Sequence, residues 1–408
     1  MAELTFQTIS FQDKEDNVEV SILKYFSILI PKEEFLSISE FKITSPHSIE
    51  FSKISQEKAQ KKFSYLLEKY LEHLKTKLTG NKAIYIHQNS GIPLIGNPAF
   101  GIVYRNSSII EIKPVTSCNL DCIYCSVGEG LSSTKTDYVI EKDYLVEELN
   151  NLIEFVSEPV EIHIGVQGEP FFYGALDELL EDLQQNPKIY RISIDTNGTL
   201  LSKEKIDFYT KITKLQINFS LDAMDEEVAK TMAGTKNYKL KHILDMIRYS
   251  SEKGLQMVVA PVLVSGYNEN EMEKIIQFIK TLPNKPILGI QNFLPYKTGR
   301  NPASVKSWPE FFKLLQELEK KYDMNLRLKA EDFNVKKTIE LPKPFSINDE
   351  VLAIIKCPDR FPRTTIAVAE GRMISISELE FKKEKKDKQV KVKILRDKHN
   401  IFSGKICS

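Results

Sequence analysis

The 408-residue chain has no excess of either charge: 56 Lys and Arg balance 56 Asp and Glu. No global field draws it to nucleic acid or to a membrane surface, so any such patch is local. Long apolar runs are missing too. The longest, Met257 to Val264, is interrupted by Pro261 and falls well short of the roughly 20 residues that span a bilayer. The N-terminal stretch MAELTFQTISFQDKED has early acidic residues and no apolar segment, so a secretory signal is not expected. Cysteine is scarce, with five in all, which excludes the dense disulfide framework of small secreted domains. The 42% hydrophobic content supplies packed cores and argues against general disorder. A chain of this length exceeds what one core usually supports, so two or three domains are expected.

What is present is concentrated. Three of the five cysteines stand in Cys118-Asn119-Leu120-Asp121-Cys122-Ile123-Tyr124-Cys125. Three thiolates on one short loop can hold three corners of a [4Fe–4S] cluster and leave the fourth iron open, unlike the four-cysteine sites of ferredoxins. Structural zinc usually takes a fourth Cys or His nearby. A zinc knot or a redox thiol cluster remains the alternative on the octet alone. Thiolate ligation needs a reducing compartment, which points to the cytoplasm. Cys357 and Cys407 lie far away in sequence and read as structural thiols.

Residues 1–100 read as a small α/β domain. Val18 to Ile22 and Glu40 to Ile43 alternate as strands. Phe63, Leu66, Leu67, Tyr70, Leu71 and Leu74 recur at helical spacing within Ser55 to Lys77. From Ser108 onward, strands alternate with helices. The expected strands are Ile109–Val115, 160–166, Ile189–Ile194, Leu215–Leu221, Leu255–Val264 and Ile287–Phe293. Helices fall between them, and a last one covers Pro309 to Lys321. Six βα units imply a parallel sheet with helices outside. The pattern alone allows either a doubly wound sheet or a barrel. A connector follows at 326–350, with a strand expected over Asn325 to Leu328. Residues 351–408 then form a small β domain with expected strands at Thr365–Ala369, Arg372–Ser377, Val390–Leu395 and His399–Phe402.

The strand ends carry polar landmarks. Gln167-Gly168-Glu169-Pro170 follows the second strand, Thr196-Asn197-Gly198 the third, and Ser220-Leu221-Asp222 the fourth. Glycines let backbone approach a ligand closely, and a carboxylate beside them can receive an ammonium. Taken in this order with the octet, they resemble the radical SAM enzymes, over roughly residues 108–300. The resemblance implies a partial (β/α)6 barrel of the TIM type over 101–325, with chemistry at the C-terminal strand ends. It implies a [4Fe–4S] cluster on Cys118, Cys122 and Cys125, with Tyr124 in the aromatic place of the motif. It also implies S-adenosyl-L-methionine as cofactor: Gly168, Glu169 and Pro170 toward its amino group, Thr196 and Asn197 near the adenosine, Ser220 at the ribose. Val262 is expected to pack the adenine. Gln167 departs from the family's usual glycine. Asp222 is left open, either as a contact or as the cap of the helix that follows.

The stretch Gly289 to Arg300, with Cys125 to Gly130 and Gly168-Glu169-Pro170, is similar to a group of archaeal radical SAM iron–sulfur proteins of largely unassigned substrate. These have an N-terminal extension and a small C-terminal β domain. A related branch methylates arginine using cobalamin, but this chain lacks an Asp-x-His-x-x-Gly signature. Substrate contacts are expected at Gln291, Asn292, Tyr296, Lys297 and Arg300; Arg300 suits a phosphate or carboxylate, with a loop salt bridge as the alternative. Glu161 and His163 share a face of the second strand, where His163 is either a proton donor or a satisfied core residue. The C-terminal domain, OB- or TRAM-like, carries the lysine-rich run Phe381 to Lys388. This is either a solvated hairpin or a phosphate-tracking surface. The expected reaction is radical modification of a macromolecule, tRNA or rRNA, with radical modification such as C-methylation of a protein or peptide as the alternative. A non-enzymatic, metal-stabilised RNA-binding module is the third reading. The partner implied for the enzyme is a one-electron reductant such as ferredoxin or flavodoxin, with no membrane.

Overall fold

The computed structural model describes residues 1–165 and 167–407. Val166, at the end of the expected second strand, and Ser408, the last residue of the expected C-terminal domain, lie outside the described residues. Six parallel strands form the centre: β1 (Ile109–Lys113), β2 (Val160–Ile164), β3 (Ile189–Thr196), β4 (Leu215–Phe219), β5 (Gln256–Val259) and β6 (Ile287–Leu288). They pair in sequence order, and an antiparallel strand, Gly101–Tyr104, lies outside β1. Sequential order decides between the two architectures. A doubly wound sheet reverses its order at a switch point, whereas right-handed crossovers that always advance put every helix on one face and curl the sheet. The chain is an open, partial (β/α)6 barrel.

The helices are α1 (Lys142–Val156), α2 (Leu176–Gln185), α3 (Lys203–Tyr209), α4 (Glu226–Ala233), α5 (Leu240–Glu252), α6 (Glu271–Lys280) and α7 (Trp308–Tyr322). Each turns an apolar stripe inward, as in α6, where Met272, Ile275, Ile276 and Ile279 are buried. Ile110, Ile112, Ile162, Ile164, Ile192, Ile194, Leu215 and Ile217 form the sheet's apolar face and join the same core. The opposite, concave face is polar. Register places Glu111, His163, Ser193 and Gln216 in one layer, and Asp195 with Asn218 in the next.

Two expected strands are shorter than their apolar runs. Leu255–Val264 splits into β5 and Val262–Leu263, and Ile287–Phe293 splits into β6 and Gln291–Asn292. Pro261 interrupts the first run because it lacks the N–H a ladder needs. The two outer pieces pair with each other as a separate ribbon at the mouth. Among the described residues the strand expected over Asn325–Leu328 does not form: Leu326 is buried, but the backbone pairs with no strand there.

The N-terminal region builds one three-stranded and one four-stranded antiparallel sheet around the helix Gln56–Tyr70. Its core is continuous with that of the barrel: Phe63, Ile86 and Leu149 belong to one cluster. A parallel pair, Ala83–Ile86 with Asp137–Ile140, ties this region to the segment after the cysteine loop. The C-terminal region is a closed five-stranded barrel with its own core around Ile355, Ile374, Ile394 and Phe402. Its strands are Glu350–Pro358, Thr364–Ala369, Arg372–Ser377, Gln389–Arg396 and Ser403–Ile406. The strand expected over His399–Phe402 gives way to a short 3-10 turn at Lys398–Asn400, and the strand comes later, at Ser403–Ile406.

Candidate active site

The cysteine octet leaves the C-terminal end of β1 and is held from three sides. Asp121 N–H donates to Ala233 O and Ile123 N–H to Met232 O, both at 3.0 Å. These are last-turn carbonyls of α4, which lack partners within their own helix. Gly234 ends that helix at φ 66°, and a Cβ there would collide with the carbonyl oxygen of Asp121. Only glycine meets both demands. From the loop after β6, Arg300 N–H donates to Cys125 O at 2.9 Å. Its guanidinium donates to Cys122 O, to Glu129 O and to Asp121 Oδ1, the last at 2.7 Å.

All three thiols are half-buried and free. Burial pushes the Cys118 thiol up, and the Glu169 carboxylate adds to this. Cys122 is raised by burial and then by the neighbouring Cys118 and Asp222. Among the described residues no three Cys, His, Asp or Glu side chains converge on a single ion. A cuboidal cluster makes no such demand, because each thiolate takes a different iron.

The loop after β2 lies directly against the octet's approach. Glu169 N–H donates to Ser117 O at 2.9 Å. Gly168, at φ 67°, abuts the Thr116–Ser117 peptide, where a Cβ would find backbone within 2.7 Å. The Glu169 carboxylate is buried. It accepts from Thr196 Oγ1 at 2.7 Å, from Asn197 N–H at 2.8 Å and from Phe171 N–H at 3.2 Å. Burial outweighs these three donors and pushes its pKa up to about 7. Pro170 opens a short 3-10 turn. Asn197 Nδ2 donates to Asn119 Oδ1 at 2.9 Å, which joins the third strand end to the octet.

Asp222 resolves the question left open by sequence. The cap of α4 is Asp225, whose side chain accepts from Glu227 and Val228 N–H. Asp222 instead accepts from Tyr124 Oη and from Val262 N–H. Its burial pushes the carboxyl up to about 6 against those two bonds. A narrow cleft is lined by Leu120, Cys122, Tyr124, Asn197, Ser220 and Asp222. The third and fourth strand ends therefore meet the octet in one place. Sequence reasoning had no signal for the Tyr124–Asp222 bond, since it joins residues 98 apart.

The expected substrate residues are scattered. Gln291, Tyr296 and Lys297 are exposed at the mouth. Arg300 forms the loop salt bridge weighed as its alternative, with Asp121. Asn292 is buried and donates to Lys306 O at 2.8 Å, and its Oδ1 has no partner among the described residues. His163 belongs to a polar ladder on the concave face. It bonds Ser193 Oγ at 2.8 Å and Asp195 Oδ2 at 3.1 Å, while Ser193 donates to Glu161 and Asn218 to Asp195. The Asp195 charge holds the imidazole above its ordinary value despite burial. Burial opposes ionisation of Asp195, but His163 holds that carboxyl below its usual range.

Whether this site suits an iron–sulfur cluster and S-adenosylmethionine is tested by a polar atom the protein leaves unpaired. Among the described residues, Gln167 Nε2, two positions before Glu169 in the chain, is buried without a partner. An unpaired buried donor is costly unless a ligand meets it. Together with three free thiols on one loop, it fits an anionic cluster and a polar cofactor.

Comparison with known proteins agrees. The family model of the Radical SAM superfamily matches residues 112–279. An uncharacterized protein of Methanocaldococcus jannaschii is 34% identical over 360 residues, covering 82% of this chain and 83% of that protein. A GTP 3',8-cyclase of Listeria welshimeri is 31% identical over 177 residues, covering 43% of this chain and 51% of its own. Among solved structures, SuiB of Streptococcus suis bound to S-adenosylmethionine aligns at TM-score 0.42 and 14% identity, covering 79% of this chain and 71% of that one. With identity to the archaeal protein sustained across four-fifths of both chains and the barrel matched by the family model, the chain belongs to the radical SAM superfamily of enzymes, whose cofactors are a [4Fe–4S] cluster and S-adenosylmethionine.

Proposed function

We propose that Cys118, Cys122 and Cys125 hold the cluster and that the adjoining strand ends hold S-adenosylmethionine. The observation that carries this reading is the meeting of Cys122, Tyr124, Asn197, Ser220 and Asp222 in one cleft. Glu169 lies one hydrogen bond away, through Asn197. When bound, the cluster supplies the electron that cleaves S-adenosylmethionine to methionine and a 5′-deoxyadenosyl radical. The protein's part is positional. Glu169 is fixed by three donors, so its remaining lone pairs are aimed before a ligand ammonium arrives. Gly168 and Pro170 set that carboxylate's backbone. Ser220 lines the cleft and offers its hydroxyl to the ribose, Thr196 holds Glu169 beside Asn197 on the adenosine side, and Val262 is anchored by Asp222. Tyr124 is held by the same carboxylate, which keeps its ring at one wall of the cleft.

The substrate we propose is RNA, gripped by the C-terminal barrel acting as an OB- or TRAM-like module. Lys382, Lys385, Lys386 and Lys388 are exposed in its hairpin, and clustered exposed lysines suit a phosphate backbone. Gln291, Tyr296 and Lys297 at the mouth are placed to meet the delivered nucleotide. A ferredoxin or flavodoxin is the proposed electron donor.

The test is anaerobic reduction of the iron-loaded protein with S-adenosylmethionine, followed by chromatography for 5′-deoxyadenosine. Production by the wild type and none by Cys122→Ala is expected; equal production by both would overturn the cysteine assignment. Nucleoside and peptide mass spectrometry of cells with and without the protein then reads the substrate. A change confined to peptides would replace RNA by protein.

A further inference from the structure

The cysteine loop is gripped by a second arginine that comes from outside the (β/α)6 barrel. Arg360 lies just after the first strand of the C-terminal barrel and is only 2% exposed. Its guanidinium donates through Nη2 to Glu129, a buried carboxylate four residues after Cys125. Through Nη1 it donates to Thr136 O at 2.6 Å and approaches Asp137 Oδ1 at 3.8 Å.

These contacts reach both flanks of the octet. On the downstream side, Glu129 also meets Lys135, whose ammonium donates to Val127 O and Gly128 O. On the upstream side, Asp137 accepts from Thr116 Oγ1 at 3.1 Å, two residues before Cys118. Thr116 Oγ1 in turn accepts from Tyr138 N–H at 2.9 Å. One buried guanidinium therefore sets both the entry and the exit of the loop that carries the three thiols. Among the described residues, the one other cation paired with the Glu129 carboxylate is Lys135.

We propose that Arg360 is a positioning residue of the cluster loop, so that the C-terminal barrel is part of the radical-generating site as well as a substrate-gripping module. A planar guanidinium with several fixed donors suits the role, because it holds a carboxylate and a carbonyl at set angles where an ammonium would not. Partners of this kind orient the groups that bind a metal, and their loss typically lowers metal affinity by about tenfold or more. This inference rests on the assignment of Cys118, Cys122 and Cys125 as the cluster ligands.

The experiment compares full-length wild type, Arg360→Gln, Arg360→Lys, Glu129→Gln, the Arg360→Gln/Glu129→Gln double variant, and Ile376→Val. The last truncates the C-terminal barrel's core without touching the loop. Each is loaded with iron and sulfide anaerobically. Three quantities are read: resistance of the bound iron to a chelator, the electron paramagnetic resonance spectrum of the reduced cluster with and without S-adenosylmethionine, and the melting temperature. Arg360→Gln is expected to lose iron at about tenfold lower chelator concentration and to show an altered spectrum. Arg360→Lys should recover part of both. The loss in the double variant should be smaller than the sum of the two single losses, because the two residues share one ion pair. Wild-type iron retention and spectrum in Arg360→Gln would overturn the proposal, and so would an equal loss in Ile376→Val at matched melting temperature. A wild type that takes up no cluster would instead overturn the cysteine assignment, which keeps the two failures distinct.

Discussion

Asp222 and Asp225 stand three residues apart and do unrelated work. Asp225 caps α4 and Asp222 ties Tyr124 to Val262. Asp222→Asn keeps the shape of the side chain but weakens its acceptance from Tyr124. S-adenosylmethionine binding by the iron-loaded protein should therefore weaken by about tenfold or more, since a hydrogen bond to a charged group is worth about 1.5–3 kcal/mol. Equilibrium dialysis reads it, and unchanged affinity would remove Asp222 from the site. Gly234→Ala introduces a Cβ against Asp121 O at positive φ. Iron content should fall while the secondary structure is kept, as judged by iron analysis beside circular dichroism.

The His163–Asp195 pair has a pH signature. His163 titrates above the ordinary imidazole value, so its contribution is fully present below that ordinary value and disappears as pH rises through the raised one. Asp195 titrates below the usual carboxylate range. Its contribution is present above that range and is lost only in stronger acid. The pair therefore supports the fold most in the mildly acidic window between the two. Urea melts of the iron-free protein at about pH 5.5 and about pH 8.5 should show wild type exceeding His163→Gln by more at the lower pH. An equal difference at both would show that the imidazole's charge plays no part.

At the scale of elements, α4 has two roles. Its end accepts the octet's N–H groups, and its start depends on Asp225. Removing that cap with Asp225→Ala should lower stability by about 1 kcal/mol. Because the helix end positions the octet, iron retention should fall too, by more than for Ser55→Ala, which removes the cap of the distant N-terminal helix. Chemical denaturation and iron analysis of the two variants make the comparison. The six βα units were legible because each strand and helix announces itself through its own period, but the order in which the strands pair was not, since the same pattern fits a doubly wound sheet. The splitting of the fifth and sixth apolar runs was only half legible. Pro261 stands in one, but nothing in Ile287–Phe293 says that Gln291–Asn292 leaves the sheet to pair with Val262–Leu263. That pairing depends on where the barrel's open edge lies.

For the whole molecule, the lysine hairpin and Arg360 put two parts of the C-terminal barrel to different uses. The hairpin is exposed, although Lys383 is drawn to Glu72 of the N-terminal region. Replacing Lys382, Lys385, Lys386 and Lys388 by Gln should reduce the salt slope of tRNA binding by about 3, at a little under one for each phosphate no longer neutralised. An unchanged slope would place the RNA-binding surface elsewhere or exclude RNA. Removing Arg360 is a different matter. It leaves Glu129 buried with half its partners, and breaking a buried pair from one side costs about 3–5 kcal/mol.

By itself the sequence determined the chemistry of the site. Cysteine spacing within eight residues, and Gly-Glu-Pro, Thr-Asn-Gly and Ser-Leu-Asp at successive strand ends, are local patterns that survive any packing. The alternating periods that spell out six βα units are equally local. The tertiary structure alone decided which distant groups hold that chemistry in place. Arg300 gripping Asp121, Asp222 gripping Tyr124 and Arg360 gripping Glu129 join residues 179, 98 and 231 apart. In each case a charged side chain finds its partner only once the fold has brought two distant segments together. No periodicity records such a meeting, because it depends on how those segments pack.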